Sequence, residues 1–472
     1  MTVHILLFLL VSWHCLRRRR EATSGLLWMV LVWSVPVLGA ILYLFVGIDR
    51  VRDKGFLKHQ ADERLLAARR AQVLRAAATT EPDEDFSRHL NRAMDSMLPN
   101  HPLMGGNRIT SLVTGDEAYP AMKAAITAAE KNINLLTFIF CNDLVGRSMM
   151  DLLVEKARAG VEVRVMYDRF GSSHAFLTGF FRRYRGIPNL SVVGWTQANL
   201  LKRQFQVNLR NHRKILVIDG KQAFLGGINM HKDHITLDGK PPIRDHHFAV
   251  RGPIVQELQY AFMRDWYFMT DESPTKLLGE AFFPALGAEG SSAARIVNGG
   301  PAYEMEAIAD VFFLSIVGAR SQVLAVTPYF VPRRDIIQAM RSAALRGVDV
   351  RLVVPERNNH LAAGYACRAL YEDLLAAGVR IFERRPPFMH TKALIVDGVF
   401  AFIGTSNIDV RSFRLDYETN LAVFDHAFAD SLKSMLTEDI SNSREVDLAA
   451  WSRRPASERM LENLFSLMVP VL

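Results

Sequence analysis

The 472 residues predict an α/β fold made of two similar halves, preceded by an apolar membrane-seeking segment. Three observations carry that expectation. A helix-then-strand unit occurs twice, a block of basic, acidic and glycine residues also occurs twice, and a run of 23 residues near the start holds no charge. Hydrophobic residues at 49% and charged residues at 22% exclude a disordered tail or a collagen. The three cysteines, Cys15, Cys141 and Cys367, are too few and too far apart for a disulfide framework or a zinc spacing.

The apolar segment comes first. Gly25 to Gly47 lacks any charged side chain. As a helix it would measure about 34 Å, against a hydrocarbon core of about 30 Å. Trp28, Trp33 and Tyr43 suit the interface, and Pro36 is expected to kink the helix. The earlier run from Val3 to Leu16 either spans as a thin first helix or lies in the interface. It has no preceding basic residue and no closing cleavage site, so it is not a secretory signal. Arg17 to Arg20 on one flank balance the cations after Gly47, which leaves orientation undecided.

Residues 48–105 read as a juxtamembrane connector. Ala61 to Ala78 is helix-forming, solvated and without a direct role, and Thr79-Thr80-Glu81-Pro82 ends it. The first half is then expected over 106–290 and the second over 291–472.

The halves declare themselves by repetition. Ala159-Gly160-Val161-Glu162-Val163-Arg164-Val165 is answered by Arg346-Gly347-Val348-Asp349-Val350-Arg351-Leu352. Each follows an amphipathic stretch, Ser148 to Arg158 or Asp335 to Leu345, so each is a helix leading into a buried strand. Asn132 to Phe140 and Gln322 to Phe330 form a second strand pair. Alternating helices and strands of this kind make an α/β sheet.

The other repeated block carries the chemistry. His212-Arg213-Lys214 leads through an apolar strand to Asp219-Gly220, then Gly226-Gly227-Ile228-Asn229. His390-Thr391-Lys392 leads to Asp397-Gly398, then Gly404-Thr405-Ser406-Asn407. Side chains two apart on a strand share a face, so each His and Lys project together. Gly227 lets backbone approach a bulky anion, and Asn229, Ser406 and Asn407 offer hydrogen bonds to it. Asp219 and Asp397 complete the motif and brace the turn beside the lysines.

This set answers the needs of a phosphodiester. One imidazole attacks phosphorus, a second protonates the leaving alkoxide, and two ammoniums neutralise the non-bridging oxygens without a metal or other cofactor. Asp245, in Arg244-Asp245-His246-His247, and Glu418, in Tyr417-Glu418, both precede apolar strands. They are the expected partners of the imidazole N–H groups. A metal cluster of His231, His234, His246 and His247 is disfavoured for want of converging geometry. Tyr329 and Phe330 are expected in the core, and Gly252 to Thr270 is read as a packing helix.

Charge narrows the partner. Eight basic and three acidic residues in the first 60 give +5 of the total +8, leaving +3 for the other 412. That excess suits an anionic lipid surface and not a nucleic-acid groove, so no nucleic-acid partner is expected.

The duplicated H-x-K-x4-D, with G-G-x-N and G-T-S-N-x-D-x-R-S, resembles the phospholipase D superfamily. Together with the apolar N-terminus and Tyr417-Glu418 it is similar to the bacterial cardiolipin synthases. The resemblance implies two tandem phospholipase D-like α/β/α sandwich domains related by a pseudo-twofold, behind a transmembrane helix or hairpin. It implies that two phosphatidylglycerol molecules become cardiolipin and glycerol through a phosphohistidine. His212 would be the nucleophile and His390 the acid, on a body facing the cytoplasm at the bacterial inner membrane. Two other readings remain: a membrane-bound hydrolase of the same type, and a nuclease with the same motif. The first apolar run is short for the family's usual two spans.

Overall fold

The computed structural model describes residues 2–17, 22–44, 51–73, 81–82, 84–196, 209–301 and 306–467. The expectations for Arg18 to Arg20, for Phe45 to Gly47 and for Thr79-Thr80 lie outside the described residues. The chain divides into two compact units, Met1–Phe56 and Leu57–Leu472.

In the first unit the uncharged run is two helices instead of one, Ala22–Ser34 and Pro36–Leu42. Pro36 is the reason. A residue before proline is barred from helical backbone, and Val35 sits at φ −135°, ψ 79°. The earlier run is the helix Thr2–Arg17. Val11, Cys15, Val32, Ala40 and Tyr43 meet in a small core between these helices. Among the described residues no helix is long and apolar enough to cross a membrane.

The second unit is built on one continuous sheet. Its first half contributes β1 (Met104–Val113), β2 (Asn132–Thr137), β3 (Glu162–Asp168), β4 (Leu190–Trp195), β5 (Ile215–Ile218), β6 (Gln222–Gly226) and β7 (His246–Arg251). The second contributes β8 (Ser292–Gly299), β9 (Gln322–Val326), β10 (Asp349–Pro355), β11 (Arg380–Arg384), β12 (Ala393–Val396), β13 (Phe400–Gly404) and β14 (Asp416–Phe424). A short strand, β15 (Ser443–Glu445), closes the edge beside β11.

From the centre outwards the first half runs β1-β7-β6-β5-β2-β3-β4 and the second β8-β14-β13-β12-β9-β10-β11. The two orders are the same order, seven strands along. They meet where β1 pairs antiparallel with β8, Met104 opposite Ala294, which is where a pseudo-twofold must pass. β2, β3 and β4 are parallel, as are β9, β10 and β11. The duplicated helices Leu144–Arg158 and Arg334–Leu345 supply crossovers for these parallel strands. Strands buried on both faces need apolar runs, and NINLLT and ALIV are buried at every position.

The connector departs from expectation. Its helix Val51–Val73 is solvated on one face only: Lys58, Asp62, Leu65 and Arg69 are buried in the body, while Gln60, Glu63, Arg64 and Ala67 are exposed. Lys58 Nζ lies 2.8 Å from Asp62 and 3.1 Å from Asp265. Arg69 pairs with Glu257, whose other oxygen receives His101 at 2.6 Å. Both acidic partners sit on Val255–Thr270, the packing helix expected from Gly252 to Thr270. Charge complementarity across two helices was invisible to periodicity. A second helix, Asp85–Met97, buries Phe86, Leu90 and Met94 against the second half's core.

Candidate active site

The site forms at the carboxyl ends of β2 and β3 and their counterparts β9 and β10, where open α/β sheets leave a crevice. β5 runs antiparallel to β2, with Ile215 opposite Leu136, so the residues just before β5 emerge at that end. These are His212, Arg213 and Lys214. β12 does the same against β9, with Ala393 opposite Val326, and delivers His390, Thr391 and Lys392.

Each histidine segment is laid against the other half. Arg210–Asn211 runs parallel beside Asp416 and Tyr417, and His212 N donates to Tyr417 O at 2.9 Å. In mirror fashion Arg244 N donates to Phe388 O, and His390 N donates to Arg244 O at 2.7 Å. The carboxylates follow the same crossing. His212 Nδ1 lies 2.9 Å from Glu418 Oε1, and His390 Nδ1 lies 2.7 Å from Asp245 Oδ2. The sequence named both carboxylates but left open which serves which ring. The pairing is exchanged between halves.

With Nδ1 engaged by a carboxylate, each ring presents Nε2 for chemistry. Burial drives both imidazoles well below the ordinary histidine range, and both lysines add to the effect. Lys392 acts on His212 and Lys214 on His390, so the imidazoles and ammoniums of the two halves share one field. Lys214 Nζ donates to His212 O at 2.7 Å, and Lys392 likewise to His390 O. Burial lowers Lys214 to about 7 and Lys392 to about 8. Two buried ammoniums with weakened proton affinity are poised to receive a phosphate dianion or phosphodiester.

The halves are not identical. Burial raises Glu418 to about 7 against the pull of Lys214, and Thr405 Oγ1 donates to it. At the equivalent place the first half has Gly227. A Cβ there would fall 2.1 Å from Asp245 Oδ1, so glycine is required for the carboxylate to reach His390. Gly227 N and Thr405 N donate to the backbone of His246 and Thr419. Asn229 accepts from Ile139 N at 3.1 Å, while Asn407 Oδ1 is buried without a partner. Ser406 Oγ accepts from Asn420 Nδ2 at 2.7 Å.

Asp219 and Asp397 stand elsewhere. Each follows the far end of its strand, about 16 Å of chain from the lysine. Asp219 accepts from the backbone of Glu130, Lys131 and Asn132, and Asp397 from that of Arg320, Ser321 and Gln322. They tie the turn to the start of β2 and β9, at the opposite edge from the lysines they were expected to sit beside.

Several neighbours were missed. Phe138 places its ring edge-on to His212 at 4.9 Å. Arg213, between the motif's His and Lys, points to the opposite face, where its Nη1 meets Asp265 at 2.6 Å and its Nε meets Glu418 O. Asn211 Nδ2 bonds the same Asp265 oxygen at 2.7 Å. The alternation that puts His212 and Lys214 together forces Arg213 to the other face, so a buried acid there was inferable. Tyr329 lies 6.3 Å from the His390 ring and is half-buried, whereas Phe330 is in the core.

The histidine-rich stretch is not gathered into a metal cluster. His246 Nδ1 bonds Thr391 Oγ1 at 3.0 Å, and His234 Nε2 accepts from Asn229 N. Among the described residues one triple, Cys141, Asp143 and His231, comes within 4.8 Å. Its carboxylate already accepts from Gly146 N and Lys232 N, and burial pushes the Cys141 thiol up to about 12.

Comparison with known proteins agrees with this geometry. A family described as cardiolipin synthase, PLD-like domain, matches residues 122–266 and 314–440, one segment in each half. A family described as phospholipase D-nuclease N-terminal matches residues 6–47. A cardiolipin synthase of Geobacillus kaustophilus is 32% identical over 465 residues, covering 96% of this chain and 90% of its own. Cardiolipin synthase A of Pseudomonas syringae is 34% identical over 443 residues, covering 92% and 90%. The fold is shared with a phosphatidylserine synthase of Haemophilus influenzae at TM-score 0.63 and 13% identity, over 81% of this chain and 98% of that one.

Proposed function

The chain belongs to the cardiolipin synthases, enzymes of the phospholipase D-like fold, and on that premise we propose how its two half-sites share one reaction. The reaction is phosphatidyl transfer between two phosphatidylglycerol molecules, giving cardiolipin and glycerol. His212 Nε2 attacks phosphorus of the first lipid. The bond from phosphorus to the headgroup glycerol oxygen breaks, its electron pair goes to that oxygen, and His390, held as the imidazolium by Asp245 and the bound phosphodiester anion against its lowered proton affinity, supplies the proton from Nε2. Glycerol leaves a phosphatidyl-histidine. The second lipid's terminal hydroxyl then attacks phosphorus, gives its proton to His390, and the P–N bond returns its pair to His212.

The crossed carboxylates support this division of labour. Each holds Nδ1–H and fixes the tautomer that leaves Nε2 facing substrate. Lys214 and Lys392 stabilise charge on the non-bridging oxygens as it builds in the transition state. Asn229, Asn407 and Ser406 bind the same phosphate. Asp219 and Asp397 act by fixing the turns that set the strand register. The apolar helices of residues 1–47 hold the chain at the inner membrane, with 48–105 as connector, 106–290 as first domain and 291–472 as second.

The observation that carries the reading is the reciprocal His–carboxylate pairing between halves. Purified enzyme in phosphatidylglycerol vesicles should release one glycerol for each cardiolipin formed. Phosphatidic acid as the dominant product would replace the synthase with a hydrolase.

A further inference from the structure

The exposed surface around the site has a character the transfer chemistry does not use. β3 ends at Asp168, whose carboxylate accepts from the backbone N–H groups of Phe170 and Gly171 and also of Asn211, next to His212. The loop leaving β3 is thereby pinned to the histidine strand. Phe170 is further held by Arg210, whose guanidinium lies 3.6 Å from its ring centre. Even so, Phe170 is 60% exposed, and Leu177, at the end of the short helix Ser173–Leu177, is 77% exposed. Phe176 is also exposed, with Arg169 over its ring at 4.9 Å.

Charge is segregated to the same excursion. From residue 169 to 196 there are four arginines, Arg169, Arg182, Arg183 and Arg185, and no acidic residue. All four are exposed. The 412 residues after the first 60 carry only +3 in all, so this +4 is concentrated in one excursion of the chain.

The second half answers with apolar surface at the matching place. The loop after β10 leads into the helix Leu361–Arg368, and Leu361 is 73% exposed. Against that helix packs Ala456–Ser466, with Tyr365 and Phe465 stacked at 5.3 Å. Met460 and Leu464, four apart and so on one face, are both exposed. Exposed apolar groups therefore stand on the elements that leave β3 and β10 on either side of the histidines, and exposed apolar groups gathered beside a site mark an interaction surface.

We propose that this rim is an interfacial membrane-binding face of the catalytic body: Phe170, Phe176 and Leu177 on one side and Leu361, Met460 and Leu464 on the other enter an anionic leaflet, while the four arginines sit among its phosphates. The inference rests on the lipid-substrate reading. Its occupant follows from charge complementarity, since apolar tips ringed by arginine match the boundary of an acidic lipid surface. A body seated this way would draw diacyl lipids into the crevice by their headgroups without lifting them into water.

The test uses the full chain with the three native cysteines replaced by serine and a nitroxide on Leu177→Cys. A parallel protein carries it on Leu345→Cys, an exposed site at the end of Arg334–Leu345, away from the crevice. In vesicles containing phosphatidylglycerol, the label at 177 should relax faster with oxygen than with a water-soluble nickel chelate, and that at 345 should show the reverse. Replacing Arg182 and Arg183 by Gln should weaken the insertion signal at 177 by about fivefold for each charge. An aqueous label at 177, in protein that still makes cardiolipin, overturns the rim and leaves the function standing. Insertion at 177 that is equal in zwitterionic vesicles overturns the role of the arginines. Failure of the unlabelled enzyme to make cardiolipin at all would instead strike the functional reading.

Discussion

Asp245→Asn should produce the phenotype of a damaged second-half histidine, although Asp245 belongs to the first half. Its Oδ2 lies 2.7 Å from His390 Nδ1, and its Oδ1 accepts from His246 N at 2.8 Å. The carboxylate is fully buried. When His390 is protonated, the charge centres are about 4 Å apart, which at an effective dielectric of about 20 is worth about 4 kcal/mol. Losing that stabilisation of the imidazolium should slow a proton-requiring step by about 10³-fold. The assay compares two donors, phosphatidylglycerol and a phosphatidyl ester of p-nitrophenol, with cardiolipin or phosphatidyl product counted by mass spectrometry. The phenolate leaves without a proton, so the aryl ester should lose less than tenfold. Glu418→Gln acts on the His212 ring and should slow both donors alike. Equal loss on both donors for Asp245→Asn, or retention of more than a tenth of the normal rate, would refute the crossed assignment.

Four further outcomes are expected. Lys214 is lowered to about 7 by burial, so its positive charge is lost as pH rises through that value; kcat/KM should fall on the alkaline side, and Lys214→Arg, which stays protonated, should move that limb upward by at least one pH unit. Gly227→Ala would press a methyl against the Asp245 carboxylate and should cost about 10²-fold in kcat with little change in Tm, measured by turnover and calorimetry. Arg69→Met strips the guanidinium from buried Glu257, which burial alone would raise but Arg69 and His101 hold at about 2; a loss of about 3 kcal/mol is expected in denaturant unfolding, and an unchanged midpoint would show that the connector helix does not brace the body. Turnover in excess EDTA should equal that without it, because two ammoniums supply the positive charge; activity lost to the chelator and restored by magnesium would contradict the scheme.

Much of this architecture was legible because duplication prints itself twice. The matched strands around Val163 and Val350, and the blocks beginning at His212 and His390, fixed the two-half plan and most of the site. Strand periodicity was enough to put His212 beside Lys214. Three things escaped it. The exchange of Asp245 and Glu418 between rings depends on which half-strand each histidine segment lies against, a long-range pairing that spacing along the chain does not encode. The burial of Lys58 and Arg69 depends on acids some 200 residues away, at Asp265 and Glu257, and that of Asp62 on Arg264, as far off. An Ala- and Arg-rich helix without a strong apolar stripe looks solvated until those partners are seen. The uncharged run after Gly25 had the right length for one helix, yet the residue before Pro36 cannot hold helical backbone, and the break follows from local sterics.

The central claim is that one histidine becomes covalently loaded before the acceptor lipid arrives. Mixing enzyme with a single equivalent of phosphatidylglycerol, quenching in base within milliseconds, and sequencing the peptides by mass spectrometry tests it directly. A phosphatidyl adduct on His212, with glycerol released in equal amount before any cardiolipin forms, is the expected result. Glycerol released only in step with cardiolipin, with no adduct on any histidine, would contradict it.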